Sequence, residues 1–120
     1  MASPFPRQPR SWTRKFGDAL RGCGIAFRRQ SSFWVHAGCA VAVLAAGLWR
    51  HLLAWQWCIV LLCIVAVLTA EMLNTALEQL AQAVDRDYNP HLRDALDMGS
   101  AAVLLAAAGA VVIGAVVFLL

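Results

Sequence analysis

Three stretches of the chain carry no Lys, Arg, Asp or Glu: residues 30–49, 52–70 and 98–120, which are 20, 19 and 23 residues long. A helix needs roughly 20 apolar residues to cross a bilayer. The pattern therefore predicts three transmembrane helices, over about 31–49, 52–84 and 97–120. The first and third are rich in small residues, among them Ala37, Gly38 and Gly47, and Ala107, Gly109 and Gly114. Small residues let helices approach closely in lipid.

A different helix is predicted over 11–29. On a helical projection Phe16, Leu20, Cys23 and Phe27 fall within about 80° of Trp12. Arg14, Lys15, Asp18, Arg21, Arg28 and Arg29 are read as the opposite, charged side. That describes an amphipathic helix lying on the membrane with a basic face for anionic headgroups. Ile25 falls on the wrong side of it. Residues 1–10 hold three of the four prolines and read as a disordered leader. The remainder, 11–120, reads as one membrane domain.

The second helix outlasts its apolar run. Glu71, Asn74, Thr75 and Glu78 follow Ala70 at i, i+3, i+4 and i+7, within about 60° of one line. Gln82 and Asp85 continue the stripe. A helix over 52–84 is about 50 Å long against a hydrocarbon core of about 30 Å, so its last turns leave the membrane. A carboxylate at the hydrocarbon edge must face protein or water, and Glu71 is at that edge. Two carboxylates and an amide on one face could accept a proton and hold a divalent cation; Mg²⁺ favours such sparse sets completed by phosphate oxygens. They could equally form a solvated polar face. The loop over 85–97 is polar, interrupted by Pro90, and the third helix is expected to start near Arg93–Asp97, where acids suit the helix dipole.

Composition narrows the classes further. The chain is 61% hydrophobic and only 14% charged, against about 25% charged in soluble domains. That excludes a soluble catalytic domain and a DNA-binding module; no nucleic-acid partner is expected. Seven of the ten basic residues precede position 30. The positive-inside rule then places the N-terminus and the 85–97 loop in the cytoplasm. The four cysteines read as packing residues, and no Walker-type loop is present.

The run Glu71-Met-Leu-Asn74-Thr75-Ala-Leu-Glu78, followed 19 residues later by Asp97-Met-Gly-Ser-Ala-Ala-Val, resembles the prokaryotic diacylglycerol kinase and undecaprenol kinase family. Its signature is E-x-x-N-[ST]-A-[IL]-E, then KD-x-x-x-x-A-V. The resemblance covers roughly residues 11–120. It implies an all-α integral membrane fold in the bacterial inner membrane, assembled as a homotrimer with sites shared between subunits. It implies transfer of the γ-phosphate of ATP, with Mg²⁺, to the hydroxyl of diacylglycerol or undecaprenol, feeding phospholipid or lipid-carrier recycling. By the same resemblance Glu71 is the general base and Asn74 its neighbour. Glu78 is the metal ligand. Asp87, Tyr88, Asn89 and Asp97 lie at the nucleotide, and Ser100 lies near the lipid.

The chain departs from that pattern at three positions. Gln30 stands where the family has a second metal-binding glutamate, Gln82 where it often has an aspartate, and Leu96 where it has a lysine. Arg29, Arg86 and Arg93 are the cations available to replace that lysine. Two other readings fit the residues: a degenerate member that binds lipid or a partner subunit without turnover, and a small proton-coupled transporter using Glu71.

Overall fold

The structure, a computed structural model, describes residues 9–29 and 31–120. Gln30 lies outside the described residues, as does the expected leader apart from Pro9 and Arg10. The described chain is all-helical, in the order α1 (Trp12–Arg29), α2 (Ser31–Trp49), α3 (Ala54–Val84) and α4 (Pro90–Leu119). Helices α2, α3 and α4 are each long and apolar enough to cross a membrane.

Helix α3 is the spine. It contributes Gln56, Val60, Glu71, Asn74, Thr75 and Ala81 to the interior, whereas α2 buries Phe33 and Gly47 and α4 buries Gly99 and Val117. Two glycines set the closest approaches. A Cβ on Gly99 would lie 2.5 Å from Asn74 Oδ1 and 3.0 Å from Leu77 Cδ1, so α4 seats directly on α3 there. A Cβ on Gly47 would lie 2.7 Å from the Trp57 ring.

The α2–α3 turn ends α2 in a Schellman motif. Leu52 N–H donates to Gly47 O, and His51 N–H donates to Leu48 O. His51 takes the left-handed position, with φ 52°. Gln56 then serves both ends of the bundle's short side. Its Oε1 accepts from Leu53 N–H at 2.8 Å, and its Nε2 donates to Val117 O at 3.2 Å. Arg50 Nη2 donates to Phe118 O at 2.9 Å. The last carbonyls of a helix lack partners within it; here two of them are served by side chains from the α2–α3 turn and the first turn of α3.

At the other end the third span starts earlier than the sequence pattern suggests. Asn89 caps α4, its Oδ1 accepting from His91 N–H and Leu92 N–H, and Pro90 is the first helical residue. Proline suits that position because its missing N–H has no helical partner there. Pro90 thus opens the helix rather than breaking a loop. The connection shrinks to residues 85–89, and Asp97 sits two turns inside α4. The helix dipole acts mainly within the first turn, so it no longer accounts for Asp97.

Helix α1 leaves Trp12, Phe16 and Leu20 about 70% exposed on one side, an apolar stripe that the other described residues do not cover. Ile25 is half-buried and Ala26 buried, so the residue that broke the stripe belongs to a second face, packed on the bundle. Lys15 is corrected as well: three residues from Trp12, it shares that flank, and its Nζ lies 4.5 Å from the Trp12 ring centroid. At the α1–α2 junction Phe27 packs edge-on against Phe33 and Trp34, and Trp34 Nε1 donates to Phe27 O.

Candidate active site

The polar stripe of α3 passes from buried to open within two turns. Glu71, Asn74 and Thr75 are buried, Glu78 is half-buried and Gln82 is exposed. Thr75 Oγ1 donates back to Glu71 O at 2.9 Å, a contact within α3. Glu71 is 3% exposed, and its carboxylate is held from α2. Ser32 Oγ donates to its Oε1 at 2.5 Å, and His36 Nε2 lies 3.4 Å from its Oε2. Asn74 Nδ2 donates to Glu78 Oε1 at 3.2 Å, while Asn74 Oδ1 is buried against Gly99 with no hydrogen-bond partner among the described residues. Asn74 thereby links the interior to Glu78.

The open end of the stripe forms one wall of a cavity of about 710 Å³. The α3–α4 connection and the first turns of α4 form the rest. Glu78, Asp87, Tyr88, Asn89 and Asp97 all line it. Five residues spread over twenty positions therefore share one space, because α3 and α4 pair closely and their link is short. Two of the departing positions, Gln82 and Leu96, line the same cavity.

Of the three arginines, Arg86 and Arg93 line the cavity. Arg93 Nε is 3.9 Å from Asp97 Oδ2, and both side chains are well exposed, a pairing worth at most about 1 kcal/mol. Arg29 does not line it; its Nη1 donates to Gln79 Oε1 at 3.2 Å.

A second cavity, of about 550 Å³, is an apolar groove between α2 and α4 floored by α3. It runs from Val35 and His36 at one end to Phe118 at the other. Glu71 lines neither cavity, and neither does Ser100, which is exposed on α4. Among the described residues, His36 is the polar contact of Glu71 that reaches the groove.

Among the described residues no three His, Cys, Asp or Glu side chains gather closely enough to cage a metal ion. The donor set present is Glu78 at the cavity wall with Asn74 tied to it. It fits a Mg²⁺ ion that brings phosphate oxygens as its other ligands, and does not fit a cage made of protein alone.

Ser32 and His36 escaped the sequence reading. The available signal was their i, i+4 spacing in a stretch without charges. Gln56, a lone amide in the second apolar run, escaped it too.

The family model of the prokaryotic diacylglycerol kinases matches residues 17–118. Undecaprenol kinase of Bacillus subtilis (strain 168) is 32% identical over 106 residues, 88% of this chain and 86% of that protein. Diacylglycerol kinase of Synechocystis sp. is 37% identical over 100 residues, which are 82% of this chain but 57% of that longer protein. The family-model match covers α2 and α3 whole, α4 up to Phe118, and every residue lining both cavities. The chain is accordingly an integral membrane protein, and it belongs to the prokaryotic diacylglycerol kinase family of lipid kinases.

Proposed function

We propose that the chain transfers the γ-phosphate of ATP to the hydroxyl of a membrane lipid, diacylglycerol or undecaprenol, at the cytoplasmic face of the bacterial inner membrane. The observation that carries this reading is the shared cavity. Glu78, Asp87, Tyr88, Asn89 and Asp97 line one space two turns beyond the buried Glu71. ATP occupies it, with Arg86 and Arg93 turned to the phosphates in place of the lysine that Leu96 replaces. Glu78 holds Mg²⁺, which when bound neutralises phosphate charge. The basic α1 and the 85–89 connection share the cytoplasmic side.

In the reaction Glu71 accepts the proton of the lipid hydroxyl. The hydroxyl oxygen forms the new bond to the γ-phosphorus as the bond to the bridging oxygen breaks, and ADP leaves. Such transfers depend mainly on positioning and electrostatics, and Asn74 joins the two halves by bonding Glu78 from the interior. The lipid's chain lies along the apolar groove. Helices α2 and α4 carry small residues with open space around Gly38 and Gly109, outside the groove, which suits assembly into the family's homotrimer.

The test is phosphate transfer from radiolabelled ATP in mixed micelles, with each lipid supplied separately. Turnover on either lipid, abolished in Glu71→Gln without loss of the folded assembly, is expected. Substantial activity in Glu71→Gln removes Glu71 as the base.

One observation favours a second reading. Leu96 and Gln82 put an apolar and a neutral group on the cavity wall where the family pattern has charges. A member that binds lipid without turnover then shows no transfer in either lipid and no metal-dependent affinity for ATP in calorimetry.

A further inference from the structure

We infer that His36 is a positioning residue for Glu71: with Ser32 it clamps the carboxylate from α2, and it is the link between that carboxylate and the lipid groove. The catalytic consequence rests on the lipid-kinase reading; the contact itself does not.

A glutamate has three rotatable side-chain bonds, and nothing on α3 restrains the Glu71 carboxylate. Both restraints come from the neighbouring helix. Ser32 and His36 are four residues apart on α2, one turn above the other, and each meets a different oxygen, at 2.5 and 3.4 Å. Two contacts of this kind fix the plane of the carboxylate as well as its position. An ionised carboxylate within a membrane protein is costly when it lacks partners. The clamp offsets that cost while leaving lone pairs for a substrate proton.

His36 also has a second address. Its side chain is 21% exposed, that of Glu71 only 4%, and the exposed part of His36 lines the groove between α2 and α4. A molecule in the groove therefore touches His36, which in turn contacts Glu71. His36 Nε2 lies 3.4 Å from Glu71 Oε2, and the role asks of it a polar contact at that point rather than the carrying of a proton. A glutamine places its Nε2–H close to the same position.

The test compares wild type with His36→Gln and His36→Ala by two readouts, in micelles, with thermal midpoints recorded for each. The first is modification of Glu71 by a hydrophobic carbodiimide, followed by mass spectrometry, which needs no turnover. Loss of a charge-assisted contact speeds modification about tenfold in His36→Ala, while His36→Gln stays near wild type. The second is lipid phosphorylation. Misplacing a reacting group costs about 100-fold in kcat, so His36→Ala loses about that much with KM for ATP unchanged, and His36→Gln recovers most of it.

Wild-type modification rates in His36→Ala overturn the inference. So does a His36→Gln that folds normally but is as slow in transfer as His36→Ala, since that assigns His36 the proton itself. A wild type without transfer that still shows the modification difference supports the clamp and removes the kinase reading instead.

Discussion

Asn74 Oδ1 lies 2.5 Å from the point where a Cβ on residue 99 would stand. Glycine is thus required where α4 crosses the polar stripe of α3. In Gly99→Ala either the Asn74 amide swings away and releases Glu78, or the helices part. Such overpacking costs about 1–3 kcal/mol. A lowered unfolding midpoint together with reduced turnover is expected. A midpoint equal to wild type removes this contact as the determinant of helix approach.

Asn89 carries the start of α4. Replacing it by alanine orphans His91 N–H and Leu92 N–H and costs about 1 kcal/mol. Hydrogen exchange at those two amides is expected to rise in Asn89→Ala and to stay near wild type in Asn89→Asp. Equal protection in both variants shows that tertiary packing, not the cap, holds the first turn.

His51 adopts the left-handed conformation that closes the Schellman motif. A residue with a Cβ pays about 1 kcal/mol for it relative to glycine. His51→Gly is expected to raise the unfolding midpoint with kinetics unchanged, since the turn lies at the far end of α3 from Glu71. A lowered midpoint assigns the His51 side chain a contact of its own.

Leu96 stands on the wall of the larger cavity among Glu78, Asp85, Asp87 and Asp97. If ATP phosphates occupy that space, Leu96→Lys adds a charge-assisted contact of about 1.5–3 kcal/mol. KM for ATP then falls about tenfold or more, while KM for the lipid holds. An unchanged KM for ATP places the phosphates elsewhere.

Much of this was legible in residue order. Charge-free runs are long enough to mark the spans, and a 3.6-residue period carries the stripe past Ala70 because helical geometry does not stop at the membrane edge. The grouping of Glu78 with Asp87, Asn89 and Asp97 came from the family resemblance, and the short α3–α4 link explains it physically. Pro90 was misplaced because Asn-Pro serves both a turn and a helix start, and local order does not separate them. The contacts of Glu71 with Ser32 and His36 join residues 39 and 35 positions apart. No period along one helix reports which residues of another helix face it. Gln56 was hidden similarly, since its acceptor on α4 is 61 residues away.

Helix α3 holds 31 residues, about 46 Å of rise, against a hydrocarbon core of about 30 Å. Glu71 comes about 26 Å from its start at Ala54 and Glu78 about 36 Å. The buried end of the stripe at Glu71 and its cavity-lining end at Glu78 are thus fixed at different depths by a rigid rod. Bilayer thickness becomes a coordinate of the site. A thicker membrane tilts the rod or draws Glu78 toward hydrocarbon, and a thinner one wets Glu71. Lipid composition acts on this protein as its solvent depth, apart from any lipid that it binds.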